Sequence, residues 1–205
     1  TLFRSAMAPC YRSASTQNGR KQLMENEKTA SVQVTFTTGH RNLPYATDIE
    51  TGHHPMIWLS KEPDRIDEIP ELDGEPELKD LIRAINGPGQ DFETFRCAHT
   101  TTQTEAGITR SMYVAVIFRN RQWAETPDPY LVLSRSIVIA LAHSDEFPDN
   151  ALPFEVRLRR HWLKEESVWA YTADIQLYIQ APDEAQMREE LARQTAFLQK
   201  ILVQP

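Results

Sequence analysis

The last third of the chain constrains the fold most, because two alternating segments there run straight into one amphipathic helix. Phe154, Val156, Leu158 and Trp162 share one side of the first segment, with Arg157, Arg159 and His161 on the other. Trp169, Tyr171, Ala173, Ile175, Leu177 and Ile179 line one side of the second, opposite Thr172, Asp174, Gln176 and Tyr178. Successive side chains of a strand point to opposite faces, so the pattern predicts two strands with one apolar and one polar face. Pro182 then opens a helix predicted to reach about Val203, with Met187, Leu191, Leu198, Ile201 and Leu202 as its apolar stripe. Asp183 and Glu184 in its first turn and Lys200 near its last suit the helix dipole.

Upstream, Val32, Val34 and Phe36 alternate with polar residues and predict a strand at 31–37. Met56–Leu59 reads as a further short strand. Residues 62–80 hold nine acids against Arg65 and Lys79, an excess equal to the net charge of −7 of the whole chain. Pro63, Pro70 and Pro76 keep most of this stretch extended, and Pro76 opens a short helix near 77–86 on Leu78, Leu81, Ile82 and Ile85. Five strands are then expected, at 92–102, 111–120, 130–141, 154–162 and 168–180. Their connections look too short for crossover helices, which implies antiparallel neighbours. The run Ile137, Val138 and Ile139 assigns 130–141 to a strand. The expected fold is α+β, an antiparallel sheet of about six or seven strands packed against a long C-terminal helix.

Composition narrows the function. At 205 residues the expectation is a single α+β domain over 24–205, large enough for a substantial core. An acidic pI of about 5.4 argues against a nucleic-acid partner held through phosphates. Cys10 and Cys97 make neither a disulfide framework nor a zinc site, which implies a reducing, cytoplasmic setting. The longest apolar run, 130–142, is broken by Ser134, Arg135 and Ser136, so no membrane partner is expected. Residues 1–23 contain four bases, no acid and no sustained period. They read as a non-native or disordered segment with Met24 as the natural start, an organelle transit peptide being the rival reading.

The element order over 31–203 resembles the helix-grip arrangement of the START and Bet v 1-like proteins. The resemblance implies a curved sheet around the terminal helix, with space between them for apolar small molecules. It is one of element order, and it departs at the front, where those families place two helices directly after the first strand. No site residue carries over. The leading expectation is a non-enzymatic protein that holds a small apolar or amphipathic ligand between sheet and C-terminal helix. Its candidate ligand-binding groups are Arg157, Arg159, His161, Asp174, Gln176 and Tyr178. The plainer alternative makes these a solvated sheet face with cross-strand Arg–Asp pairs. No cofactor or metal is assigned.

Two other functions compete. One is an interaction or assembly subunit, homo-oligomeric or bound to a protein partner through the acidic 62–80 loop or a sheet edge. The other is an enzyme using Arg157, His161 and Asp174, or Cys97 and His99, which stand two apart on one strand face. The remaining motifs are weaker. His53-His54 would point to opposite sides of a strand and reads as a surface turn. His143-Ser144-Asp145 has triad residue types in a row, where a triad needs them from separate elements. Gly87-Pro88-Gly89 lacks the Lys-Ser/Thr of a phosphate loop.

Overall fold

A computed structural model describes residues 30–37, 42–46, 54–105, 107–147 and 154–203. The expected N-terminal segment 1–23 and His53 lie outside these residues. Six strands form one mixed, mostly antiparallel sheet: β1 (Gln33–Phe36), β2 (Asn42–Leu43), β3 (Phe92–Thr104), β4 (Gly107–Phe118), β5 (Phe154–Leu163) and β6 (Val168–Ala181). Among the described residues four α-helices accompany them: α1 (Pro76–Ile85), α2 (Arg121–Ala124), α3 (Asp128–Ala142) and α4 (Glu184–Leu202). The fold is therefore α+β, with the C-terminal helix where the sequence put it. Asp183 caps it by accepting from Gln186 N at 2.9 Å.

The strand order is β1-β5-β6-β4-β3, with β2 following β1 along the same edge of β5. The hairpins β3–β4 and β5–β6 are antiparallel, and β4 pairs with β6. Two expectations are corrected here. β1 and β2 run parallel to β5, and residues 130–141 are helical. Pro129 stands in its first turn, and Tyr130, Leu133, Ser134, Ile137 and Leu141 lie on its buried side, most of them three or four residues apart. The β-propensity of its Ile-Val-Ile run yields to this packing. Because α3 carries the chain from β4 to β5, that connection is a helical crossover rather than a turn. Met56–Leu59, expected as a strand, pairs with no strand.

One sheet face carries the apolar core. Register places Val156 beside Ile175 and Val114, and Phe154 beside Leu177 and Met112. Phe197 of α4 stacks on Phe154 at 5.4 Å, so the C-terminal helix covers this face. Ile175, Leu177, Leu191 and Leu198 are fully buried. Tyr130 of α3 donates to Tyr171 O at 2.6 Å and docks its helix on the same layer.

The opposite face is covered only at one end. Leu43 pairs with Leu163 at one edge of the sheet, and two residues later the Tyr45 hydroxyl donates to Phe95 O on β3, the other edge. Five strands laid flat would separate those edges by about 19 Å. Two residues extend a chain by about 7 Å, and a tyrosine side chain reaches about as far again. His161 of β5 also meets Phe95 of β3 at a ring-centroid distance of 5.6 Å across the two intervening strands. The edges therefore curl toward each other, and this face is concave. Ser60 donates to Glu93 on β3, so residues 43–46 and 54–60 form a strap over this end. Beneath it His161, Ala170 and Thr172 are buried.

Candidate functional site: a polar, concave sheet face

Period two carries Glu155, Arg157, Arg159 and His161 of β5 onto the concave face, with Thr172, Asp174, Gln176 and Tyr178 of β6. The expected polar set thus shares one face, and it is the face turned away from α4. The space between sheet and helix is filled by buried apolar side chains. Trp169, Tyr171, Ile175 and Leu198, which a ligand between sheet and helix would have to touch, line none of the principal cavities of the described residues.

Asp174 is the centre of the polar face. Its residue is 1% exposed. Oδ2 lies 3.0 Å from Arg96 Nη2 and 2.8 Å from Arg159 Nε. Oδ1 is buried without a hydrogen-bond partner among the described residues. Burial pushes the Asp174 carboxyl above its ordinary range, against the two guanidiniums that pull it down. Arg157 stands directly across from Asp174 in the register but turns to Glu155 on its own strand, with Nε 2.9 Å from Oε1. Glu155 also accepts from the Tyr178 hydroxyl at 2.9 Å. These contacts, led by Arg157, hold the Glu155 carboxyl below its ordinary range.

Two cavities meet on this side of the molecule. The polar one, of about 300 Å³, is lined by Arg96, His99, Ser111, Tyr113, Arg157, Arg159, Asp174 and Gln176, among others. The second, of about 80 Å³ and mainly apolar, lies between the outer edge of β3 and the strap, and includes Tyr45, Met56, Ile57, Ile69, Phe95 and Cys97, with Glu68 and Glu71 also on its lining. That is several times the room one water molecule needs. Arg96, Ala98 and Tyr113 belong to both. The Arg96 guanidinium lies 4.9 Å from the Tyr113 ring centroid, a cation–π contact between the two spaces.

Of the six expected ligand residues, Arg157, Arg159, Asp174 and Gln176 line the polar cavity. Tyr178 sits beside it on Glu155. His161 does not line it: the ring is 2% exposed and meets Phe95 edge-on at 5.6 Å under the strap. Arg96, Ser111 and Tyr113 were not foreseen. Arg96 reaches this face through a β-bulge. Thr94 pairs with Val116, yet Arg96 pairs with Ala115, so Phe95 is an extra residue. Without it Arg96 would face the helices, since one residue of slip exchanges the two faces of a strand.

The other motifs resolve plainly. Cys97 is buried, and burial pushes its thiol up to about 12, which leaves it protonated near neutral pH. His99 lines the polar cavity and Cys97 the apolar one. His54 is exposed, and no group of three His, Cys, Asp or Glu side chains among the described residues is placed to hold a metal ion. His143 binds back to Ile139 O in the turn after α3. The acidic stretch folds into two 3₁₀ turns, Pro63–Glu68 and Pro70–Leu72, braced by Arg65 on Glu62 and Glu68 and by Lys79 on Asp67. No helix among the described residues is long and apolar enough to cross a membrane. No protein-family model matches this chain, and comparison with curated proteins and with solved structures found no match.

Proposed function

We propose that this is a non-enzymatic binding protein for a small amphipathic molecule, held on the concave sheet face rather than against the C-terminal helix. The observation that carries the reading is the adjacency of the two cavities. A polar space floored by a buried carboxylate and an apolar space lined by Tyr45, Met56, Ile57 and Phe95 share Arg96, Ala98 and Tyr113. A pocket with apolar walls and a few convergent polar groups is the usual form of a small-molecule site. Met56 and Ile57 belong to the strap, are half-buried, and can adjust to an entering apolar group. The protonated thiol of Cys97 supports binding over covalent chemistry.

Native mass spectrometry of the full chain, purified without denaturation, tests this. A small molecule of mixed polar and apolar character, released on denaturation and lost in a Met56→Asp variant, is the expected result. A chain that carries no such molecule and takes up neither octanoate nor 1-octanol overturns the reading.

Self-assembly is a second reading with an observation of its own. Helix α3 exposes Leu131, Val132 and Ile139, and Trp123 is exposed just before it. Light scattering across a concentration series separates the two, since assembly through this helix requires a mass that rises with concentration and falls in Val132→Glu.

A further inference from the structure

The sign of the charge in the polar cavity is opposite to that of the chain. The protein carries a net charge of −7. Yet three guanidiniums, Arg96, Arg157 and Arg159, line this one cavity against a single carboxylate, Asp174. Glu155 takes up Arg157 with two contacts of 2.9 Å. Within this cavity Arg96 and Arg159 then share Asp174, which leaves one positive charge in excess among the described residues, while Glu68 and Glu71 line the adjoining cavity that Arg96 also borders. An unmatched guanidinium on a largely covered surface is costly unless a counter-charge arrives.

We infer that the polar half of the ligand is an anion, a carboxylate or a phosphate monoester, gripped between Arg96 and Arg159. This rests on the binding reading above and names the chemistry of its head group. Both guanidiniums keep part of their surface open, with side-chain exposures of 17% and 28%. Each also keeps nitrogens beyond the one spent on Asp174 Oδ2. A guanidinium presents its donors in a fixed planar fork, which matches the paired oxygens of both anions. Asp174 acts as a positioning residue, because a common oxygen holds the two guanidiniums side by side. Ser111 and Gln176 add neutral hydrogen-bonding groups around the same space. The adjoining apolar cavity places the rest of the ligand beyond Tyr113, toward Phe95 and Met56.

Small anions without an apolar tail test the head group separately from the site. Arginine side-chain Nε–H signals of the full-length protein are followed by NMR during titration with acetate, inorganic phosphate and chloride at constant ionic strength. The expected result is a saturable shift of the Arg96 and Arg159 signals with acetate or phosphate and none with chloride. Whichever anion acts at lower concentration identifies the head group. The shift disappears in Arg159→Gln, whose remaining spectrum reports an intact fold.

Equal, unsaturable responses to all three salts overturn the inference. The tailed probes then show which premise failed. If octanoate and 1-octanol bind equally, the site stands and its ligand is neutral. If octanoate binds at least about tenfold more tightly than 1-octanol, as charge-assisted hydrogen bonds require, the anion is confirmed. If neither binds, the binding reading fails with it.

Discussion

The two faces of the sheet bury their side chains by opposite means. Under α1, α3 and α4 the sheet meets aliphatic and aromatic groups, Ile175, Leu177, Phe154 and Val156 against Leu198, Leu191 and Phe197. That layer is filled and is stabilised by removing apolar area from water. The concave face buries Asp174, Thr172, Gln176 and His161 instead, keeps a carboxylate oxygen without a hydrogen-bond partner among the described residues, and leaves cavities beside it. A protein selected for stability alone would gain from an apolar replacement of such a cluster. The difference separates the work of the two faces: one holds the fold together, and the other keeps polar groups poised at a cost in stability.

Substitutions on each face sharpen that contrast. The largest effect is expected on the helix side. Leu198→Ala leaves a cavity in a fully buried position and is expected to cost about 2–5 kcal/mol, with octanoate binding retained in the folded fraction. Chemical denaturation read beside a binding titration checks both halves. Loss of binding without loss of stability would reverse the assignment of the faces.

Asp174→Asn is expected to have a smaller effect, one that changes with pH. Its folded carboxyl titrates above the ordinary value of 3.8, chiefly through burial. The folded state therefore holds that proton more tightly than the unfolded chain. The contribution of Asp174 to stability is greatest below pH 3.8 and is lost as pH rises through the raised folded value. Asn carries no such charge, so the melting temperature of the variant should gain on the wild type as pH climbs from about 3.5 to 7. Its anion affinity should fall, because Arg96 and Arg159 lose the oxygen that aligns them. A gap that narrows with rising pH would show that the ion pairs outweigh burial.

Glu155 behaves in the reverse sense. Its carboxyl is held below 4.5, chiefly by Arg157, so its contribution is present above pH 4.5 and fades as pH falls through the lowered value. Glu155→Gln should remove that acid-side loss in melting curves taken between pH 2.5 and 5. The smallest effect is expected for Arg157→Gln. The Arg157–Glu155 pair is partly exposed, and such pairs contribute less than about 1 kcal/mol. Anion binding should persist in Arg157→Gln, in contrast to Arg159→Gln. Calorimetric titration of the two variants with octanoate compares them directly, and equal losses would spread the grip over all three arginines.

Much of the fold is legible in local pattern, and the site only in part. Alternation of Phe154, Val156 and Leu158 with Arg157 and Arg159 fixes strand, face and partner side chains at once, since a period of two admits one reading. The C-terminal helix is equally plain from its stripe and from Asp183. Residues 130–141 mislead because their β-branched run favours a strand locally while Pro129 and the spacing of Tyr130, Leu133 and Ile137 favour a helix. Packing on the sheet decides between them. Arg96 is invisible as a site residue because the bulge at Phe95, which turns it toward Asp174, depends on pairing with β4. The strap is hidden for a related reason. Tyr45 meets Phe95 only once the sheet has curled, and nothing local to either residue announces that contact.

The central claim is that a ligand occupies the concave face and not the helix interface, and methyl NMR tests it most directly. The full-length protein, labelled at Met, Ile and Leu methyls, is titrated with octanoate. Saturable shifts at Met56, Ile57 and Ile69, with Met187, Ile175 and Leu198 unmoved, are the expected result. Shifts confined to Met187, Ile175 and Leu198 would contradict it and return the ligand to the space between sheet and helix.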